Sequence, residues 1–327
     1  MIMTINEKIW QDGEYSYRAA YGFVPSIRGY IHDDDEMRDC MVVVPGGGYC
    51  MCVPHEGELP AKVFFEQGMN VFVLTYSTDI TMSVPLMRQP LNDISRAVRF
   101  IRKRADEYKI ADKKLFICGF SAGAHVCGSL AVHYDDVEDV NPEYAGVSNR
   151  PDGAILSYPV ISSSDHAHIY SFQTLLGKNA DPAELEYFSL EKNVTPDTPP
   201  CFIWQTATDD LVPVENSYLM AEAMRKAGVN YAHYVFPKGI HGLSVANEEM
   251  INGWTGEEYT FDQLWRAVDA VKKGEAIDVS PERIAELKAQ FPDEPTEQEP
   301  MENPFDKTLI EDVGCWPELA RVWMSRL

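Results

Sequence analysis

Six short apolar runs recur along the chain: "MVVVP" at 41–45, "VFVLTY" at 71–76, "LFICG" at 115–119, "AILSY" at 154–158, "CFIWQT" at 201–206 and "YAHYVF" at 231–236. They are rich in β-branched and aromatic residues and short enough to be strands, most of them buried on both faces. Longer patterns between them predict helices at about 58–68, 90–108, 122–134 and 215–227, the last stopped by Gly228. Strand, helix, strand in repetition predicts an α/β architecture with a mostly parallel central sheet covered by helices on both faces. The extended stretches around 17–31 are expected to add antiparallel edge strands.

Two segments break the alternation. Residues 159–198 separate one strand from the next by about 40 residues, far beyond the usual connection, and such an excursion at a strand end reads as a cap over a site. Residues 250–308 begin with a Trp-containing loop and carry two predicted helices. Thr260 and Gln263 fit a capping box for the first, and Ser280-Pro281 fits an N-cap with proline at the first helical position for the second. This segment holds 14 acidic and 6 basic residues, a net of −8, and continues through "PDEPTEQEPMENP", so it reads as a solvated acidic insertion with a mobile stretch before a closing helix at 316–327.

Composition narrows the function. With 327 residues, 45% hydrophobic and 11% aromatic, the chain has ample material for a single large domain. A formal net charge of −23 argues against nucleic acid or an anionic membrane as partner, since both need clustered cations. The start, "MIMTINEKIWQDGEYSY", lacks the cationic and apolar regions of a secretory signal, and seven scattered cysteines read as reduced thiols, so a cytoplasmic location is expected. Cys50 and Cys52 form a lone C-x-C without a second pair; no metal is expected there.

Chemistry enters at "FICGFSAGAHVCG". Gly119-Phe120-Ser121-Ala122-Gly123 matches G-x-S-x-G, preceded by a strand and followed by a helix, the context that lifts a serine hydroxyl onto the carboxyl edge of a sheet. Alone, the pentapeptide is also compatible with a small-residue turn capped by serine. A nucleophilic serine needs a base downstream. His241, in the glycine-flanked loop after the 231–236 strand, is best placed; His125 and His233 read as packed histidines, and His166 and His168, near Asp165, as solvated loop residues. The acid is expected after the 201–206 strand, where Asp209 and Asp210 both lie; the Asp-x-x-Val-Pro spacing favours Asp209, and an Asx turn is the bland reading of either. Gly46-Gly47-Gly48 follows the first core strand, so the amides of Gly47, Gly48 and Ala122 are candidate oxyanion donors. There is no G-x-G-x-x-G or Gly-Lys-Ser/Thr spacing, so no dinucleotide or other cofactor is expected. Tyr49 and Tyr158 are candidate pocket residues. Glu56 and Glu58 either contact the glycine loop or supply charge to a helix N-terminus.

The runs "VVVPGGGY", "HEGELPAKVF", "FVLTYS", "GFSAGAH", "PPCFIWQTATDDLVPVENS", "FPKGIHGLS" and "CWPELARVWMSRL" resemble the bacterial α/β-hydrolases related to acetyl xylan esterases, in the hormone-sensitive-lipase-like group. The resemblance covers roughly 20–248 and returns at 314–327. It implies an α/β-hydrolase fold, a cofactor-free carboxylesterase acting on small acyl, often acetyl, esters of carbohydrates, and a Ser121, Asp209, His241 triad with the same oxyanion donors. A formamidase or peptidase of the same fold, or a non-catalytic binding protein on this scaffold, are the competing readings. Two departures stand out: about 60 residues intervene between the His241 loop and the closing helix, and Pro45 replaces the histidine of the lipase His-Gly-Gly-Gly loop. The insertion is expected to form a lid, a homo-oligomer arm or a carbohydrate-binding rim.

Overall fold

In chain order the strands are β1 (Ile2–Lys8), β2 (Ser26–His32), β3 (Cys40–Val44), β4 (Asn70–Thr75), β5 (Leu115–Phe120), β6 (Gly153–Ser157), β7 (Cys201–Thr206) and β8 (Tyr231–Phe236). They form one sheet in the order β1-β2-β4-β3-β5-β6-β7-β8, in a computed structural model that describes residues 2–110, 113–253, 256–293 and 307–327. From β4 to β8 every pairing is parallel, while β2 joins β4 and β1 joins β2 antiparallel. The helices are α1 (Glu58–Glu66), α2 (Gln89–Lys103), α3 (Ala122–His133), α4 (Ile169–Leu176), α5 (Pro182–Tyr187), α6 (Glu215–Ala227), α7 (Glu248–Ile251), α8 (Asp262–Lys273), α9 (Pro281–Gln290), α10 (Thr308–Asp312) and α11 (Trp316–Met324).

The apolar runs that read as strands are strands; β3 to β7 are buried on both faces under helices, while β8, at the sheet edge, is only partly covered. One face carries Leu91, Ile94 and Val98 of α2, Leu130 of α3 and Met220 and Met224 of α6; the other carries Leu59 and Phe64 of α1 and Trp316 and Trp323 of α11. Trp316 stacks on Trp204 of β7 with ring centroids 5.2 Å apart, and its indole N–H donates to the Ser244 carbonyl at 2.9 Å. The closing helix therefore also holds the loop after His241.

Three expectations change. The 17–31 stretch supplies β2 but not a second strand; its partner is β1, whose residues are exposed or only partly covered. Such an edge strand is held by its backbone ladder, so its side chains carry no hydrophobic pattern. The capping box at α8 does not form: Thr260 Oγ1 is buried without a partner among the described residues, and Gln263 Oε1 instead accepts from the Thr78 amide at 2.8 Å. The 250–308 insertion is not a free appendage. Leu264, Ala267, Val268 and Val271 of α8 pack with Ile80 and with Leu287 of α9 in a small core of their own. Ser280 caps α9 as expected, accepting from the Arg283 amide at 3.2 Å. Trp254 and the acidic run from 294 lie outside the described residues. No described helix is long and apolar enough to cross a membrane.

Candidate active site

Ser121 sits between β5 and α3 with φ 52° and ψ −118°, a strained conformation for a residue with a side chain. The flanking glycines are required by close approach. A methyl group on Gly119 would lie 2.2 Å from the Gly123 carbonyl oxygen, and one on Gly123 would lie 2.2 Å from that of Val44. Their absence of side chains lets the start of α3 press against the end of β3, bringing the glycine loop onto the serine. A methyl on Gly46 would come within 2.9 Å of Ser121 Cβ.

Ser121 Oγ donates to His241 Nε2 at 2.8 Å, and His241 Nδ1–H donates to Asp209 Oδ2 at 2.9 Å. The carboxylate can only accept, which assigns the proton to Nδ1 and leaves the Nε2 lone pair to accept from the Ser121 hydroxyl. Asp209 is itself anchored: its Oδ1 accepts from the Leu211 and Val212 amides at 3.0 and 2.9 Å, and its Oδ2 from Gln205 Nε2 at 3.1 Å. Burial pushes the Asp209 carboxyl up, but the hydrogen bond and charge of His241, with the two amides, more than reverse this and hold its pKa below the ordinary value. Asp210 is exposed and meets the histidine at its backbone, accepting from the His241 amide at 2.9 Å.

Gly47 and Gly48 adopt φ of 123° and 62°, and their amides, with that of Ala122, donate to no group among the described residues. Unpaired amides in a glycine loop and at a helix start, beside one serine, are an arrangement that can stabilise an oxyanion.

The two pocket tyrosines are corrected. Tyr49 is buried, its hydroxyl donating to His125 Nδ1 at 2.6 Å, while His125 Nε2–H donates to the Phe188 carbonyl at 2.9 Å. Both groups belong to the core under the glycine loop, and burial lowers the His125 pKa to about 4. Tyr158 is also buried, with its ring edge-on to His241 at 4.9 Å between centroids. Its hydroxyl donates to Glu56 Oε1 at 2.7 Å and accepts from the Ser244 amide at 2.9 Å. Glu56 Oε2 accepts from the Gly46 amide at 2.7 Å. One buried carboxylate thus ties the glycine loop to the loop that carries His241. Of the two open readings of Glu56, contact with the glycine loop is the one observed; Glu58 instead accepts from the Glu257 amide at 2.8 Å.

His168 is the residue the sequence reading missed. It is half-buried near the triad rather than solvated; burial first, and then the charge His241 would carry when protonated, lower its pKa. Its Nδ1 pairs with Ser171 Oγ at 2.8 Å, and that oxygen lies 4.0 Å from where a methyl on Gly48 would sit. Only the folding of the 159–198 excursion over the sheet edge reveals this. Cys118 and Cys127 are buried on either side of the Ser121 turn.

Residues 30–224 match the BD-FAE family. The endo-1,4-β-xylanase B of Butyrivibrio fibrisolvens is 63% identical over 270 residues, 83% of this chain and 42% of that protein. The acetylxylan esterase of Xylanibacter ruminicola is 33% identical over 212 residues, 62% of this chain and 40% of that one. The chain therefore spans about two fifths of the length of these curated relatives. Among solved structures, the acetyl ester-xyloside bifunctional hydrolase of Caldicellulosiruptor lactoaceticus superposes with a TM-score of 0.70 at 33% identity, covering 84% of this chain and 97% of that one. A carboxylesterase of Lactobacillus plantarum, at 22% identity and TM-score 0.59 over 85% of this chain and 99% of that one, shares the fold. With its strained serine turn, parallel sheet and matched residues, this chain belongs to the BD-FAE family of α/β-hydrolases.

Proposed function

We propose that the chain is a serine carboxylesterase that removes short acyl groups, foremost acetyl, from carbohydrate esters. The observation that carries this reading is the 2.8 Å hydrogen bond from Ser121 Oγ to His241 Nε2, backed by Asp209. Ser121 attacks the ester carbonyl as His241 takes its proton; the amides of Gly47, Gly48 and Ala122 receive the oxyanion; His241 then protonates the departing alcohol. Water, deprotonated by His241, releases the acid from the acyl-enzyme. Asp209 stays ionised and stabilises the imidazolium.

Glycoside hydrolysis, which the name of the Butyrivibrio relative suggests, needs two carboxyl groups flanking the scissile bond. Here the carboxylates nearest the nucleophile are already committed, Asp209 to His241 and Glu56 to Gly46 and Tyr158. The xylan in the relatives' names therefore enters this reading as the acylated alcohol. A panel of p-nitrophenyl esters from C2 to C8, with acetylated xylo-oligosaccharides, a formanilide and a dipeptide, tests it. Fastest turnover of acetyl esters and labelling of Ser121 by a fluorophosphonate are expected. A preference for C6–C8 esters or for the amides would overturn it.

A further inference from the structure

We infer that the cleft between α4, α9 and the 79–84 loop binds the sugar chain of the acylated substrate at a distance from the reacting centre; this rests on the esterase reading above. The cleft measures about 330 Å³, within the size range of ligand sites. Three segments far apart in sequence wall it: the 81–83 turn, α4 with Tyr170 and Gln173 followed by Lys178, and the entry to α9 with Asp278, Glu282 and Arg283.

Its chemistry suits a neutral polyol. The two cations, Lys178 and Arg283, are outnumbered by the three carboxylates Asp278, Glu282 and Glu286, so an anionic ligand meets no surplus of positive charge. Sugar hydroxyls both donate and accept, and can use carboxylate, amide and ammonium groups together. Tyr170 is 66% exposed, next to Ile169 at 62%, and with Met82 it gives the cleft apolar surface beside its polar groups. A flat phenol ring there offers a large contact area to the C–H face of a pyranose while its hydroxyl stays wet.

The walls are set before any ligand arrives. The buried Asp79 carboxylate accepts from the amides of Thr81, Ser83 and Val84 at 2.9, 3.1 and 3.2 Å, which fixes the turn. Arg283 donates to the Ile80 carbonyl through Nε at 3.2 Å and Nη2 at 2.7 Å, which ties α9 to the same turn. Preformed walls reduce the ordering cost of binding.

Helix α4 connects this cleft to the chemistry. Ser171 and Thr174, three residues apart, face the glycine loop: Ser171 Oγ lies beside Gly48, and Thr174 Oγ1 lies 3.5 Å from Cys50 Sγ. Tyr170 and Gln173, one position earlier in each turn, line the cleft. An acyl group held at Ser121 therefore leaves its sugar chain running across α4 toward Tyr170. This assigns the inserted α9 to a carbohydrate-binding rim.

Two arms test the inference. In the first, Tyr170→Ala is expected to lower kcat/KM for acetylated xylotetraose about tenfold, mainly through KM, and to leave p-nitrophenyl acetate within about twofold. In the second, Ser121→Ala is expected to bind unacetylated xylotetraose in calorimetry, and the Ser121→Ala/Tyr170→Ala double variant to bind it about tenfold more weakly. Equal losses on both esters, an unchanged oligosaccharide rate, or binding that ignores Tyr170 would overturn it. If p-nitrophenyl acetate is not hydrolysed at all, the esterase reading fails instead, and the calorimetric arm still decides the cleft.

Discussion

The floor and the rim of this site are built by different physics. The floor, from the ends of β3, β5, β7 and β8, is buried and tied by hydrogen bonds of 2.7–3.1 Å that leave its side chains little freedom. The rim presents charged and aromatic side chains to solvent; its α8–α9 part stands on a small separate core, while α4 packs on the main one through Phe172 and Leu175. The difference implies that bond breaking and choice of alcohol are separable: floor changes should act on every ester alike, rim changes only on large ones.

The largest break comes at the nucleophile. Ser121→Ala should lower turnover of p-nitrophenyl acetate by about 10⁴–10⁶-fold with an unchanged circular dichroism spectrum. Near-normal activity would remove the floor from the mechanism altogether. Asp209→Asn should cost about 10⁴ in kcat because the histidine loses the partner that sets its tautomer. Asp210→Asn keeps an oxygen for the His241 amide and should cost less than about tenfold; the reverse order would exchange their roles.

A subtler break tests how the floor is held. Glu56→Gln retains shape but cannot accept from both the Gly46 amide and the Tyr158 hydroxyl. It should lower kcat on the order of 10- to 100-fold, the scale of a roughly 1 Å misplacement, with KM little changed. Tyr158→Phe should move kcat in the same direction, and a change confined to KM in both would show that Glu56 does not position the two loops.

The smallest effect is on stability. His125 is buried with a pKa of about 4 against an ordinary 6.5, so the unfolded chain binds its proton first. Its neutral form thus stabilises the fold fully above pH 6.5, and that contribution is lost as pH falls toward 4. Between those limits the stability advantage of the parent over His125→Gln should shrink by up to about 3 kcal/mol. Using the difference matters, because Asp93, pushed up by burial to about 6, contributes with the opposite sign over part of the same window. Denaturant melts of both proteins at pH 7 and pH 5 provide the check; a constant gap would mean that His125 is not held neutral.

The apolar runs, the glycines around Ser121 and the order of serine, acid and histidine were legible in the chain because each follows from a local rule: strand composition, close approach, turn geometry. Asp209 could be favoured over Asp210 by spacing, yet only the fold shows one carboxylate on the imidazole and the other on its backbone. The strand β1, the fate of Gln263, the Glu56–Tyr158 tie and the place of His168 depend on partners 18 to 185 residues away, which no local pattern encodes. The sequence by itself determined the parallel core of the sheet, the order of the candidate serine, acid and histidine, and the family resemblance; the tertiary structure alone decided the edge strand β1, how the loops are locked and what surrounds Ser121. The physical reason is range: backbone propensity and sterics act between neighbours, whereas buried polar groups must find whatever partner folding brings to them.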